Sequence, residues 1–168
     1  TIPETVKIIR AQAFMNCANL ENVYFNCINA EIINYIFTDC VKLDKIVFGK
    51  NVTVIPESVC GNAEFLKTVV FDGKITSVGS KAFYNCPSLA DVYFSGTEAE
   101  WKAVTIKSNN EALADATIHY LTSTNDNTVE IPVEKAAGIP DWRQTHAPQK
   151  CVKFCTYLAS IQNINTKV

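Results

Sequence analysis

One six-residue pattern returns at constant spacing and leaves the chain few ways to fold. Leu20-Glu21-Asn22-Val23-Tyr24-Phe25 recurs as Leu43-Asp44-Lys45-Ile46-Val47-Phe48, as Leu66-Lys67-Thr68-Val69-Val70-Phe71 and as Leu89-Ala90-Asp91-Val92-Tyr93-Phe94, so that the closing Phe falls every 23 residues. Upstream of each copy the same slots recur: Ile9, Ile32, Ile55 and Val78; then Phe14, Phe37, Cys60 and Phe83; then Cys17, Cys40, Ala63 and Cys86. A slot that accepts only Phe or Cys, or only Cys or Ala, has a fixed internal volume filled differently on each level. Within a copy, the Val and Phe are two apart and point the same way on a strand, while the residue between them points the other way. Turn formers follow at Asn26, Gly49-Lys50-Asn51, Asp72-Gly73 and Ser95-Gly96. One such unit cannot bury its apolar side alone. Stacked units can, each buried Phe, Leu or Val contributing roughly 1.5–3 kcal/mol. Strands of successive coils are therefore expected to pair in parallel about 4.8 Å apart.

A period of roughly 20–29 residues with a Leu-x-x-Leu-x-Leu-like core is the leucine-rich-repeat signature. Ile2-Pro3-Glu4-Thr5-Val6, followed by Ile9, Ala13-Phe14, Cys17, Leu20, Val23 and Phe25, resembles the BspA-like leucine-rich-repeat family of bacterial and protist cell-surface proteins. Val78-Gly79-Ser80-Lys81-Ala82-Phe83-Tyr84-Asn85-Cys86-Pro87-Ser88-Leu89 is nearly a consensus unit of that family. The resemblance covers residues 1 to about 120. With the repeat it predicts an α/β, mainly β fold: a right-handed leucine-rich-repeat solenoid with one parallel β-sheet, short helical or irregular returns, a C-terminal cap and a non-repeat tail. It implies an extracellular or cell-surface location and attachment to host or matrix proteins.

The expected organisation is repeats over 1–96, a terminal capping repeat over 97–120 and a tail over 121–168. Ser95 to Val104 reads as a short helix, with Thr97 and Glu100 as a capping box and Trp101 and Val104 on one face. Trp101 reads as a lid over the last coil, which terminal repeats need for solubility, or as a ligand platform. Leu113 to Tyr120 restates the strand after a 24-residue step. The opposite end opens at Thr1-Ile2-Pro3, inside a repeat, which leads to an expectation of further repeats upstream or of self-association through an uncapped edge. In the tail, Val129 to Val133 reads as an edge strand. Cys151, Phe154, Cys155, Leu158 and Ile161 have the spacing of an amphipathic helix.

The remaining signals exclude more than they propose. Net charge is only -2 with both signs interspersed, which argues against a nucleic-acid partner and a polybasic membrane anchor. No run of 18 apolar residues exists to insert into a membrane. The seven cysteines cannot pair completely, and Cys17 and Cys40, one coil apart and near disulfide range, read first as buried thiols acting as small apolar groups. His146, Cys151 and Cys155 fall short of the four ligands of structural zinc. A Cys–His nucleophile involving His119 lacks a visible orienting partner. The expectation is accordingly no catalytic residue, no cofactor and no metal. Asn51-Val52-Thr53 matches a glycosylation sequon.

The outward strand face carries the candidate site. Its central column is Tyr24, Val47, Val70 and Tyr93, a ladder about 15 Å long at the inter-strand spacing. Beside it run Asn22, Lys45, Thr68 and Asp91. Glu21, Asp44, Lys67 and Ala90 lie beyond these, with Asn26, Gly49, Asp72 and Ser95 on the other side. An exposed apolar stripe with a polar rim suits a protein ligand, with a glycan as an alternative. The plainer account is that β-branched and aromatic residues are there because they pair well across strands. A structural spacer carrying another domain is the remaining reading.

Overall fold

In the Leu-x-x-Val-x-Phe copies, alternate residues find an apolar side, and those segments form the strands. The computed structural model describes residues 1–121; the tail readings, including the strand over 129–133, the helix from Lys150 onward and the His146–Cys151–Cys155 group, lie outside them. In chain order the elements are β1 (Ile8–Ile9), β2 (Asn22–Phe25), β3 (Glu31–Ile32), β4 (Lys45–Phe48), β5 (Val54–Ile55), β6 (Thr68–Phe71), β7 (Ser77–Val78), β8 (Asp91–Phe94), α1 (Glu98–Lys102), β9 (Thr105–Ile106), α2 (Glu111–Asp115) and β10 (Thr117–Tyr120). The four-residue strands form one parallel sheet in the order β10-β8-β6-β4-β2. Phe25, Phe48, Phe71 and Phe94 are register partners in sequence. Ring centroids of Phe25 and Phe48 are 5.4 Å apart and those of Phe48 and Phe71 5.6 Å. The column on which the solenoid reading depends is present.

Two details differ from the sequence expectation. Instead of one sheet there is also a row of two-residue strands on the return side, in two parallel groups, β1-β3 and β5-β7-β9. The recurring Ile9, Ile32, Ile55 and Val78 slot explains them. Each lies in a short extended segment, and neighbouring coils place such segments side by side. The last strand also comes later than the expected 24-residue step. Thr117 pairs with Asp91, Ile118 with Val92 and Tyr120 with Phe94. The extra residues are taken up in α2, where Leu113 is buried, because a helix advances only about 1.5 Å per residue against about 3.3 Å in a strand.

The returns turn by a device the turn formers after each strand did not reveal. Asn16, Asp39, Asn62 and Asn85, one per unit, have φ between 51° and 59°. This left-handed conformation is tolerated best by Asn and Asp among residues with a side chain. The Asn or Asp preceding the Cys/Ala slot was the available signal. A second left-handed series occupies Gln12, Ser58 and Lys81. The α1 helix begins as expected: Thr97 caps it, Glu100 N donates to Thr97 Oγ1 and Thr97 N donates to Glu100 Oε2. The salt bridge to Lys74, and then the Thr97 N–H, hold the Glu100 carboxyl down at about 2.

The interior is a stack of columns. Phe25, Phe37, Phe48, Phe71, Phe83 and Phe94 are all fully buried, with Val23, Ile46, Val69 and Val92 beside them. Where Cys60 replaces Phe, the Phe83 ring fills the space and stands edge-on to both Phe48 and Phe71 at 6.2 Å. Trp101 packs beside the last two rings, 5.2 Å from the Phe94 ring and 5.9 Å from that of Phe71. Asn110 is a buried polar residue that the repeat pattern did not single out. Its Oδ1 accepts from Phe83 N at 2.9 Å, and its Nδ2 donates to Gly79 O at 2.9 Å and Lys107 O at 2.8 Å. It thereby ties the last coil to the one before it.

Cys17, Cys27, Cys40, Cys60 and Cys86 are thiols rather than disulfide halves. Two of them repeat a contact: Cys40 Sγ donates to Phe14 O at 3.0 Å and Cys86 Sγ to Cys60 O at 3.1 Å, each 26 residues upstream. Burial pushes the Cys86 thiol up to about 12 and Cys27 up to about 11, and holds Cys60 well above its ordinary value.

Two predictions follow from this packing. Asn110→Ala strips Phe83 N–H of its acceptor and removes the Asn side-chain bonds. It should lower unfolding free energy in a urea titration by about 2 kcal/mol or more, whereas exposed Asn51→Ala should change it by less than about 0.5 kcal/mol. For the thiols, native protein treated with iodoacetamide near about pH 8 should leave Cys60 and Cys86 unmodified by peptide mass, because the thiolate is the nucleophile. Above about pH 9 the unfolded chain ionises first. Stability should then fall as the pH climbs from about 9 towards 12, the range over which Cys86 stays protonated only when folded.

Candidate partner-binding face

The outward side of the long sheet brings the sequence-predicted residues together. Strand pairing sets Tyr24, Val47, Val70 and Tyr93 side by side in one column and Asn22, Lys45, Thr68 and Asp91 in the next. Tyr24 is 36% exposed, and Val47 and Tyr93 are half-buried. Val70 departs from the expected exposed stripe. It is only 2% exposed, yet it stands outside the main apolar core. Its register partners are Val47 and Tyr93, and a short β-branched side chain between them presents little surface. Of the second column, Asn22 is exposed and Lys45, Thr68 and Asp91 are half-buried.

The fifth strand extends this face with a residue that the reading of the ladder left out. His119 is the register partner of Tyr93. The two rings stack at 4.6 Å with 17° between their planes. His119 Nε2 also lies 2.8 Å from Asp91 Oδ1, so Asp91 is the orienting partner that the sequence did not reveal. The signal was the alternation of β10, where Thr117 and His119 occupy outward positions and Ile118 an inward one. The arrangement joins flat aromatic surface to a carboxylate and an imidazole, on the sheet side opposite the buried Phe column.

The rims are built from the same periodicity. Lys67 Nζ reaches Asp44 Oδ1 at 2.8 Å across one coil, and both side chains are well exposed, so the pair contributes little to stability. On the other rim, a Cβ at Gly49 would fall 1.9 Å from Asn26 Oδ1. The glycine is what lets the Asn26 amide lie across the next coil. Lys42 Nζ also donates to Asn19 Oδ1 one coil back, at 3.4 Å. In the sequon, Asn51 and Thr53 are exposed and Val52 is buried. Among the described residues, no group of three or more His, Cys, Asp or Glu stands close enough to hold a metal ion. Nor, among them, is any helix long and apolar enough to cross a membrane.

The family that the sequence matches agrees with this architecture. Residues 1–112 match the family described as BspA type Leucine rich repeat region (6 copies). No curated protein matches the chain. Among solved structures, a leucine rich cell surface protein from Faecalibacterium prausnitzii A2-165 is 25% identical, with a TM-score of 0.41. The match covers 62% of this chain and 34% of that one, so the chain spans about a third of that protein's length.

Proposed function

The chain belongs to the BspA type leucine-rich repeat family, and from that premise we propose that its strand face is a protein-binding surface, displayed outside the cell or at its surface. The observation that carries the reading is the end of the ladder at β8 and β10. Tyr93 and His119 are stacked, Asp91 holds the imidazole, and Tyr24 lies in the same column three strands away. A rigid sheet holds these groups, so little conformational entropy is lost when a partner binds. Tyr is among the residue types that dominate interface energetics. The ligand is of host or matrix type, and the chain acts as an adhesion or recognition module with no reaction of its own.

A spacer role and glycan binding are the alternatives that the experiment separates. Wild-type chain and Tyr24→Ser/Tyr93→Ser should be compared against immobilised extracellular-matrix proteins and against a glycan array. The expected outcome is binding to a matrix protein that the double substitution weakens by about tenfold or more, equivalent to about 1.4 kcal/mol, with an unchanged far-ultraviolet circular dichroism spectrum. Binding that survives the double substitution moves the site off this face. Binding on the array alone assigns the face to sugars, and silence on both surfaces favours the spacer.

A further inference from the structure

Return segments of neighbouring units are joined by main-chain hydrogen bonds, except at one level. Between the first and second units, Phe14 N donates to Ile36 O and Asn16 N to Thr38 O, both at 3.0 Å, and Glu31 N and Ile33 N donate to Lys7 O and Ile9 O at 2.9 Å. Between the third and fourth, Cys60 N and Asn62 N donate to Ala82 O and Tyr84 O at 2.8 Å, and Gly79 N donates to Ile55 O at 2.8 Å. Between the fourth and fifth, Lys81 N and Lys107 N donate to Ser108 O and Val78 O at 3.0 Å. Between the second unit, which ends in β4, and the third, which ends in β6, no such bond joins the return segments among the described residues. The row of short strands breaks at the same place, between β3 and β5.

The sequence explains the break. Ile33 and Gly79 donate in the ladder, and the residue 23 positions after Ile33 and 23 before Gly79 is Pro56, which has no N–H. The second unit is also out of phase. Its equivalent of left-handed Gln12, Ser58 and Lys81 is Tyr35, a residue for which that conformation is costly. Asn34 takes it instead, at φ 63°, and Tyr35 N donates to Asn34 Oδ1 at 2.9 Å. The Tyr35 side chain then lies over Gly61 of the third unit, where a Cβ would fall 2.2 Å from its ring, and stacks on Tyr84 of the fourth at 6.2 Å. On the strand side the pairing of β4 with β6 is unbroken.

We infer that this level is a hinge: the solenoid comprises two blocks, the first two units and the last three, that part on the return side about the β4–β6 pairing, with Tyr35 as the plug. In a repeat array, stability is a sum of unit terms and nearest-neighbour terms, and here one neighbour term lacks its main-chain part. Parting of the blocks would change the curvature of the strand face between Val47 and Val70. The inference itself does not depend on any ligand binding there.

Hydrogen exchange followed by mass spectrometry on the full chain tests it. Bonded amides on the two sides should fall into two protection levels. Phe14, Asn16, Glu31 and Ile33 should exchange about tenfold or more faster than Cys60, Asn62 and Gly79, with a step at the seam. Pro56→Ile, which restores the donor, should raise the first group towards the second. Tyr35→Ala should lower the first group further and leave the second unchanged. Protection that grades smoothly from the N-terminal end through the seam, or that Pro56→Ile leaves as it was, would overturn the hinge. If Pro56→Ile does not fold, Tyr35→Ala decides alone, and equal loss in both groups counts against the proposal.

Discussion

Everything in the described fold depends on one constraint: each inward side chain must fill the space between its equivalents in the neighbouring coils. Phe48 meets Phe25 on one side and Phe71 on the other, and the strand register follows because only one alignment stacks like on like. When a level breaks the column, a neighbour compensates. Cys60 is smaller than Phe, and the Phe83 ring stands edge-on to both Phe48 and Phe71. Gly61 lacks a side chain, and Tyr35 lies on it. Packing at interior density explains both substitutions, since a gap of that size forfeits the contacts on its walls. It also explains the state of Cys40 and Cys86, which share a slot of fixed volume and donate to carbonyls one coil away.

The long sheet, its register and the helix cap at Thr97 were legible in the sequence because they rest on periodic or local patterns. A step of 23 places like residues together without any knowledge of the rest of the chain, and the Thr97/Glu100 pair is four residues of local chemistry. What escaped prediction depends on contacts between residues far apart that do not repeat. Asn110 is buried because Phe83 N–H needs an acceptor on the last coil, which no periodicity announces. The late placement of β10 depends on where α2 starts and stops. The short return strands escaped because two residues carry too little alternation to be read as a strand.

The face was legible in its columns but not in its exposure. Alternation correctly placed Tyr24, Val47, Val70 and Tyr93 on the outward side, yet burial is set by neighbours across strands, and Val70 is shaded where Tyr24 is open. His119 was within reach of the same alternation, but a 24-residue step sets Thr117 beside Tyr93, whereas the strand actually pairs His119 there. The pairing of His119 with Asp91 spans 28 residues, whereas the repeat step is 23. An aperiodic final unit therefore produced a polar contact off the 23-residue step that the Lys67–Asp44 pair keeps.

The constant step has a bearing on how such chains change size. A unit ending in Leu-x-x-Val-x-Phe presents the same Phe column above and below, so on the strand side a duplicated unit would find matching rings on both faces, whereas on the return side a copy inserted between Tyr35 and Tyr84 would break their contact. Each added copy would lengthen the ladder by one strand spacing, about 4.8 Å. The reach of the face thus becomes a trait that unequal recombination can adjust one rung at a time.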